Sequence, residues 1–134
     1  MNLRLLSKRV VIVGILCIWL VKLVIRPYAD LTETVRYGMG IAPNLIGSFL
    51  VPFAAYWLYT HPLLLNGRLM RFPFCSDPRF VCLFGFALGI INEYLQLIPV
   101  FGRTFDYNDI AFSSLGLVLS YYCFSSLLRR WSAA

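Results

Sequence analysis

Charge is scarce in this chain, and negative charge scarcer still. Six acidic residues stand against twelve basic ones in 134, and charged side chains make up 13 % of the total, about half the usual share for a soluble domain. The single histidine, His61, has no second histidine, cysteine or acid at ligand spacing, so it reads as an interfacial residue before a proline. Four cysteines, Cys17, Cys75, Cys82 and Cys123, offer no C-x-x-C pair. That excludes a zinc-site or redox-pair reading and leaves them as small apolar packing residues. A glycine-rich phosphate loop, a nucleophile elbow and an internal repeat are all missing. The sequence therefore predicts no metal and no cofactor.

What the chain has is apolar length. Hydrophobic residues make up 60 % of it and the mean hydropathy is +0.74, values that point to a membrane protein. A net charge of +6 would suggest nucleic acid if it were clustered on a polar surface. The basic residues instead flank apolar runs, a pattern that anchors helices in an anionic bilayer. Membrane lipids are the expected partners, and nucleic acid is not.

Four runs approach the roughly 20 apolar residues that cross about 30 Å of hydrocarbon. They are 10–25, 40–59, 80–100 and 110–128. The expected fold is all-α, a polytopic membrane protein built as a four-transmembrane-helix bundle in one domain over residues 1–134. The first run follows Arg4, Lys8 and Arg9 and is succeeded by Lys22, Arg26 and Pro27 without a small-residue cleavage signal, so it reads as a retained signal anchor. With four crossings, Arg4, Lys8, Arg9, Arg68, Arg71, Arg79, Arg129 and Arg130 fall on one side. Arg26, Arg36 and Arg103 fall on the other, beside Asp30, Glu33, Asp106 and Asp109. The positive-inside rule then predicts cytoplasmic termini, a multi-pass protein of the cell inner (cytoplasmic) membrane, and a 102–109 loop on the outer face.

Turn and cap signals refine the boundaries. Asp30-Leu31-Thr32-Glu33 has capping spacing and predicts a short outer helix toward Tyr37, with Gly38, Gly40 and Pro43 interrupting the pattern before the second span settles. Pro43 then stands near a helix start, and Pro52 predicts a bend deeper in the span. The segment 61–78, with Asn66-Gly67, further prolines, Arg68 and Arg71, suits an interfacial course. Asp77-Pro78 reads as an N-cap followed by proline at the first helical position. Asp106 can cap a helix that begins at Tyr107, with Asp109 as its third residue.

Polar and small residues recur within the last two spans. Gly85, Gly89, Asn92, Glu93 and Gln96 share one side of the third, and Asp109, Ser113, Gly116 and Ser120 share one side of the fourth. The economical expectation is that the stripes face each other or a common interior, small residues letting backbones approach while polar groups avoid lipid. At about 1.5 Å per residue, Glu93 lies roughly 20 Å beyond Phe80, in the outer third of the core. Lys22 reaches nearly the same level, so a Lys22–Glu93 pair stands as one expectation and outward snorkelling of Lys22 as the other. Arg103 sits beside Asp106 and Asp109, where a guanidinium is suited to bidentate carboxylate pairing or to holding a phosphate.

Three readings of Lys22, Glu93, Gln96, Arg103, Asp106 and Asp109 stay open. One is a binding site for a lipid-linked or envelope headgroup at the outer leaflet. Another is an enzyme on an envelope lipid with Glu93 or Asp109 as acid or base, although no nucleophile with an activating base is evident. The third is a structural or accessory subunit of a membrane complex, with Gly85, Gly89, Ser113, Gly116 and Ser120 as packing residues.

The same stretch resembles a known family. Glu93-x-x-Gln96, Gly102-Arg103, then Asp106 and Asp109 with Gly116 a further turn on is similar to the signature of the VanZ-like family of small bacterial membrane proteins. There a glutamate and glutamine close one membrane helix, a glycine-arginine pair follows in the loop, and an aspartate opens the last helix. Ser113 or Ser114 stands about where the family usually carries asparagine. The resemblance covers residues 92–116 specifically and extends to spans three and four. It implies a bacterial cell-envelope setting, a possible lipid-linked envelope precursor as partner, and polar roles for Glu93, Gln96, Arg103 and Asp109. Family members are associated with low-level resistance to the glycopeptide teicoplanin, and their biochemical activity is poorly defined.

Overall fold

The computed structural model describes residues 2–28, 32–60, 77–95 and 106–132. The readings of Asp30, of the 61–76 segment with His61 and Cys75, and of Gln96, Gly102 and Arg103 lie outside the described residues.

Among the described residues the chain is all-α and forms four helices. The first, α1, runs Leu3–Trp19 and continues through a π-helical segment, Leu20–Ile25, into a last turn, Arg26–Tyr28. Helices α2 (Glu33–Tyr59), α3 (Pro78–Leu95) and α4 (Tyr107–Ser132) follow. Three of them, α2, α3 and α4, are long and apolar enough to cross a membrane. The 17-residue α1 falls just short by itself because the π segment interrupts it.

Local chemistry sets several of the starts. The Asn2 side chain accepts a hydrogen bond from the Arg4 N–H at 3.2 Å. Asp77 Oδ1 accepts from the Arg79 N–H at 2.9 Å, and Pro78 occupies the first helical position, where its missing N–H costs nothing. Asp106 Oδ1 accepts from the Asn108 N–H at 2.8 Å, and its carbonyl accepts from the Asp109 N–H at 3.1 Å. Both of these caps follow the sequence expectation.

The entry to α2 does not. Instead of a short surface helix and a break, one helix runs from Glu33 to Tyr59 with Pro43 and Pro52 inside it. Its N-cap is Thr32, whose carbonyl accepts from the Arg36 N–H at 3.0 Å and whose side chain makes no cap bond. Each proline removes one ladder hydrogen bond. Both are buried in the bundle, Pro52 almost completely, so interhelical packing offsets the lost bond. The glycines before Pro43 weaken helix propensity by about 1 kcal/mol each, yet the helix runs through them unbroken.

Side-chain contacts give the directions of the helices. Val11 of α1 packs with Phe53 of α2 and Phe124 of α4, and Leu50 of α2 covers Gly14 of α1. Ring pairs repeat the α2–α4 register: Phe53–Phe124 at 5.1 Å and Tyr56–Phe124 at 5.5 Å between centroids. One turn higher, the Ser120 hydroxyl donates to the Phe49 carbonyl at 2.5 Å, and Gly116 lies against Leu45 and Ser48. Helix α3 runs the other way, with Gly85 against Val51 and Leu117 and the Cys82 thiol donating to the Leu117 carbonyl at 3.8 Å. Thus α1 and α3 run up while α2 and α4 run down, and the start of α1 lies at the same end as the finish of α4. Arg4, Lys8, Arg9, Arg79, Arg129 and Arg130 belong to that end; Arg26, Arg36, Glu33, Asp106 and Asp109 belong to the other.

Candidate functional site

Glu93 is the acidic residue that the fold takes out of solvent. It lies in the last described turn of α3, and only 7 % of its surface is exposed. Helical spacing explains which neighbours it meets. Gly85, Gly89 and Glu93 succeed one another at intervals of four, so all three line one stripe of α3, while Asn92 turns outward and is exposed. Opposite them on α4 stand Ile110, Ser113 and Leu117, spaced by three and four.

Together these residues enclose a cleft with about 10 Å³ of free space, at most one water molecule. The lining is apolar apart from the Glu93 carboxyl and the Ser113 hydroxyl. Such a cleft can orient a carboxyl group for hydrogen bonding, but a sugar or phosphate must sit beyond its upper end. Ser113 is six residues into α4, about 9 Å from the helix start. Asp109 is one turn nearer that start on the same face. Asp106 and Asp109 are both half-buried, and a helix N-terminus favours their negative charge.

The two stripes meet only in part. Ser113 joins Gly85, Gly89 and Glu93 at the α3–α4 cleft, whereas Gly116 and Ser120 turn to α2. The reason is the crossing of three helices at α4: a stripe about 100 degrees wide touches α3 along one edge and α2 along the other. Leu45 and Phe49, whose carbonyls receive Gly116 and Ser120, carry no polar side chain and left no trace in the sequence pattern.

Lys22 stands apart. It is exposed, within the π segment of the first helix, and that segment packs on α2. The structure brings Glu93, Ser113, Gly85 and Gly89 together in the α3–α4 cleft, with Asp109 one turn from Ser113 along α4 and Asp106 at that helix's start. Among the described residues no group of three histidine, cysteine or acidic residues could hold a metal ion.

Architecture and site define a class: an all-α protein whose apolar helices suit a polytopic membrane protein, with an acidic cleft between two of them. Beyond the class, no family model matches the chain, and no curated protein or solved structure is similar to it.

Proposed function

We propose that this chain is a VanZ-like integral membrane protein of a bacterial cell envelope that binds an anionic lipid or glycan-precursor headgroup at the outer leaflet. The first helix crosses as well, giving four spans in the inner membrane with both termini in the cytoplasm. The helix directions support this orientation, since six described arginines and lysines gather at one end of the bundle and the acidic residues of α2 and α4 at the other.

One observation carries the binding reading. The fold keeps a carboxyl group, Glu93, buried between apolar helices, directly below the chain end from which the Arg103 loop departs. Placing an acid there is costly, and an ionisable residue kept inside a span despite that cost marks a functional site by default. In this reading Arg103 holds the phosphate through its planar fork, and Glu93, Gln96, Asp106 and Asp109 take hydroxyl, amine or sugar groups. Lys22 adds positive charge near the same leaflet.

Native mass spectrometry of the protein purified from its membrane tests the proposal. Arg103→Ala and Glu93→Gln are expected to lose a co-purifying anionic lipid that the parent retains, and Arg103→Lys to recover part of it. Equal retention of every anionic lipid by all four proteins rejects the site. Orientation has its own check: Thr104→Cys in a background without other cysteines should react with a membrane-impermeant thiol reagent from outside the cell. Protection there, with reaction only after lysis, places the loop in the cytoplasm and removes the outer-leaflet reading.

A second reading has a specific observation behind it. Gly116 and Ser120 are fully explained by contacts with α2, and α3 leaves most of its apolar surface uncovered, with 6 % of its most apolar window buried. An accessory subunit that lends α3 to a larger membrane complex accounts for both. It predicts that the protein co-purifies with a second polypeptide and that Arg103→Ala changes nothing.

A further inference from the structure

A second opening between α3 and α4 lies toward the other end of the bundle. It is a groove of about 500 Å³. Leu83 and Phe86 of α3 form one wall, and Leu117 and Val118 of α4 form the other. Leu83 and Val118 are more than half exposed, so the groove opens sideways, to the surface that faces hydrocarbon in a spanning bundle. From Arg79 to Phe86 it extends about 10 Å along the helix, which fits inside one leaflet of about 15 Å.

Its mouth holds one cation, Arg79, with the Asp77 carboxylate close by. Arg79, the second residue of α3, lines the groove across from Tyr121 of α4. The backbone N–H of the same residue is capped by Asp77. The side chain is exposed, and its guanidinium has five N–H donors to offer an acceptor at the opening. Beyond this level, toward the same end, α4 finishes with Arg129 and Arg130. An apolar slot one leaflet deep, open to lipid and edged by an exposed arginine, has the chemistry of one molecule: an acyl chain joined to a phosphate.

We propose that the α3–α4 groove seats one acyl chain of an anionic phospholipid, with its phosphate on Arg79. The groove shares Phe86 and Leu117 with the Glu93 cleft but extends toward the other end of the bundle, the opposite leaflet in a spanning protein. The positive charge at its mouth distinguishes anionic from zwitterionic lipid, and the groove distinguishes a phospholipid from a soluble phosphate.

The test equilibrates the purified protein in detergent with equal amounts of phosphatidylglycerol and phosphatidylcholine of the same chain length and reads retained lipid by native mass spectrometry. The parent is expected to prefer phosphatidylglycerol. Arg79→Ala should lower its retention about fivefold and that of phosphatidylcholine less, so that the preference falls, while Arg79→Lys keeps most of the preference. Ser114→Phe, which adds bulk to a half-buried residue lining the groove, should reduce both lipids. Because Arg79 is exposed, its variants should melt with the parent, which separates loss of lipid from loss of fold. Glu93→Gln should leave this preference intact, so failure of the upper site and failure of the groove are told apart. Equal retention of the two lipids by the parent, an unaltered preference in Arg79→Ala, or a second copy of the chain retained in place of lipid overturns the proposal.

Discussion

Gly89 and Gly116 belong to similar stripes of small residues on adjacent helices, yet the fold treats them in opposite ways. A β-carbon on Gly89 would meet nothing within 4 Å, whereas one on Gly116 would overlap the carbonyl oxygen of Leu45 and press on Ser48. The α2–α4 crossing is thus a close backbone contact, in which glycine is required. The α3–α4 interface around Glu93 is looser and keeps a cleft. Similar composition serves adhesion in one place and space in the other. The teaching is that a small residue in a membrane helix marks close packing only where a neighbour arrives to fill the room it leaves.

Substitutions can break or sharpen that contrast. The largest effect is expected for Gly116→Leu, which must push α4 off α2. It should cost about 3 kcal/mol or more and lower the melting temperature in detergent sharply. A near-normal melt would mean that the crossing is not close. Gly85→Ala comes next. The added carbon lies 2.9 Å from Val51 Cγ1 and 3.3 Å from Leu117 Cδ2; the leucine tip can turn aside, but the helical valine is stiff at χ1, so about 1–2 kcal/mol is expected. Ser120→Ala removes the hydrogen bond to the Phe49 carbonyl and should cost about 0.5–1 kcal/mol, the range for interhelical bonds in membranes.

Gly89→Ala should be the mildest. The site has room, and alanine favours a helix over glycine by up to about 1 kcal/mol, so unchanged or slightly raised stability is the expected melt. Destabilisation equal to that of Gly85→Ala would show that the Glu93 cleft is as tightly closed as the α2–α4 contact, and the contrast would disappear.

Some of this was legible in the sequence because it depends on near neighbours in the chain. Asp77 before Pro78 and Asp106 before Tyr107 cap their helices as read, since a short acidic side chain needs only the next turn's N–H groups to do so. The inward turn of Glu93 was legible too, from its four-residue spacing with Gly85 and Gly89. Other features depend on distant contacts. The continuity of α2 through Pro43 and Pro52 contradicts local propensity and follows from burial against the other helices. The π segment at Lys22 has no sequence signal of its own, yet it touches α2 while leaving that lysine exposed.

The sequence by itself determined the apolar, helical character of the protein, its capped helix starts, and which residues of each helix share a face. Those properties rest on hydropathy, hydrogen-bonding reach and a fixed helical period, all of which operate within a few residues. Only the tertiary structure decided that Gly116 and Ser120 meet α2 while Ser113 meets Glu93, and that an open groove remains beside Arg79. A helix period says which residues look the same way, but close packing among three helices selects what they look at.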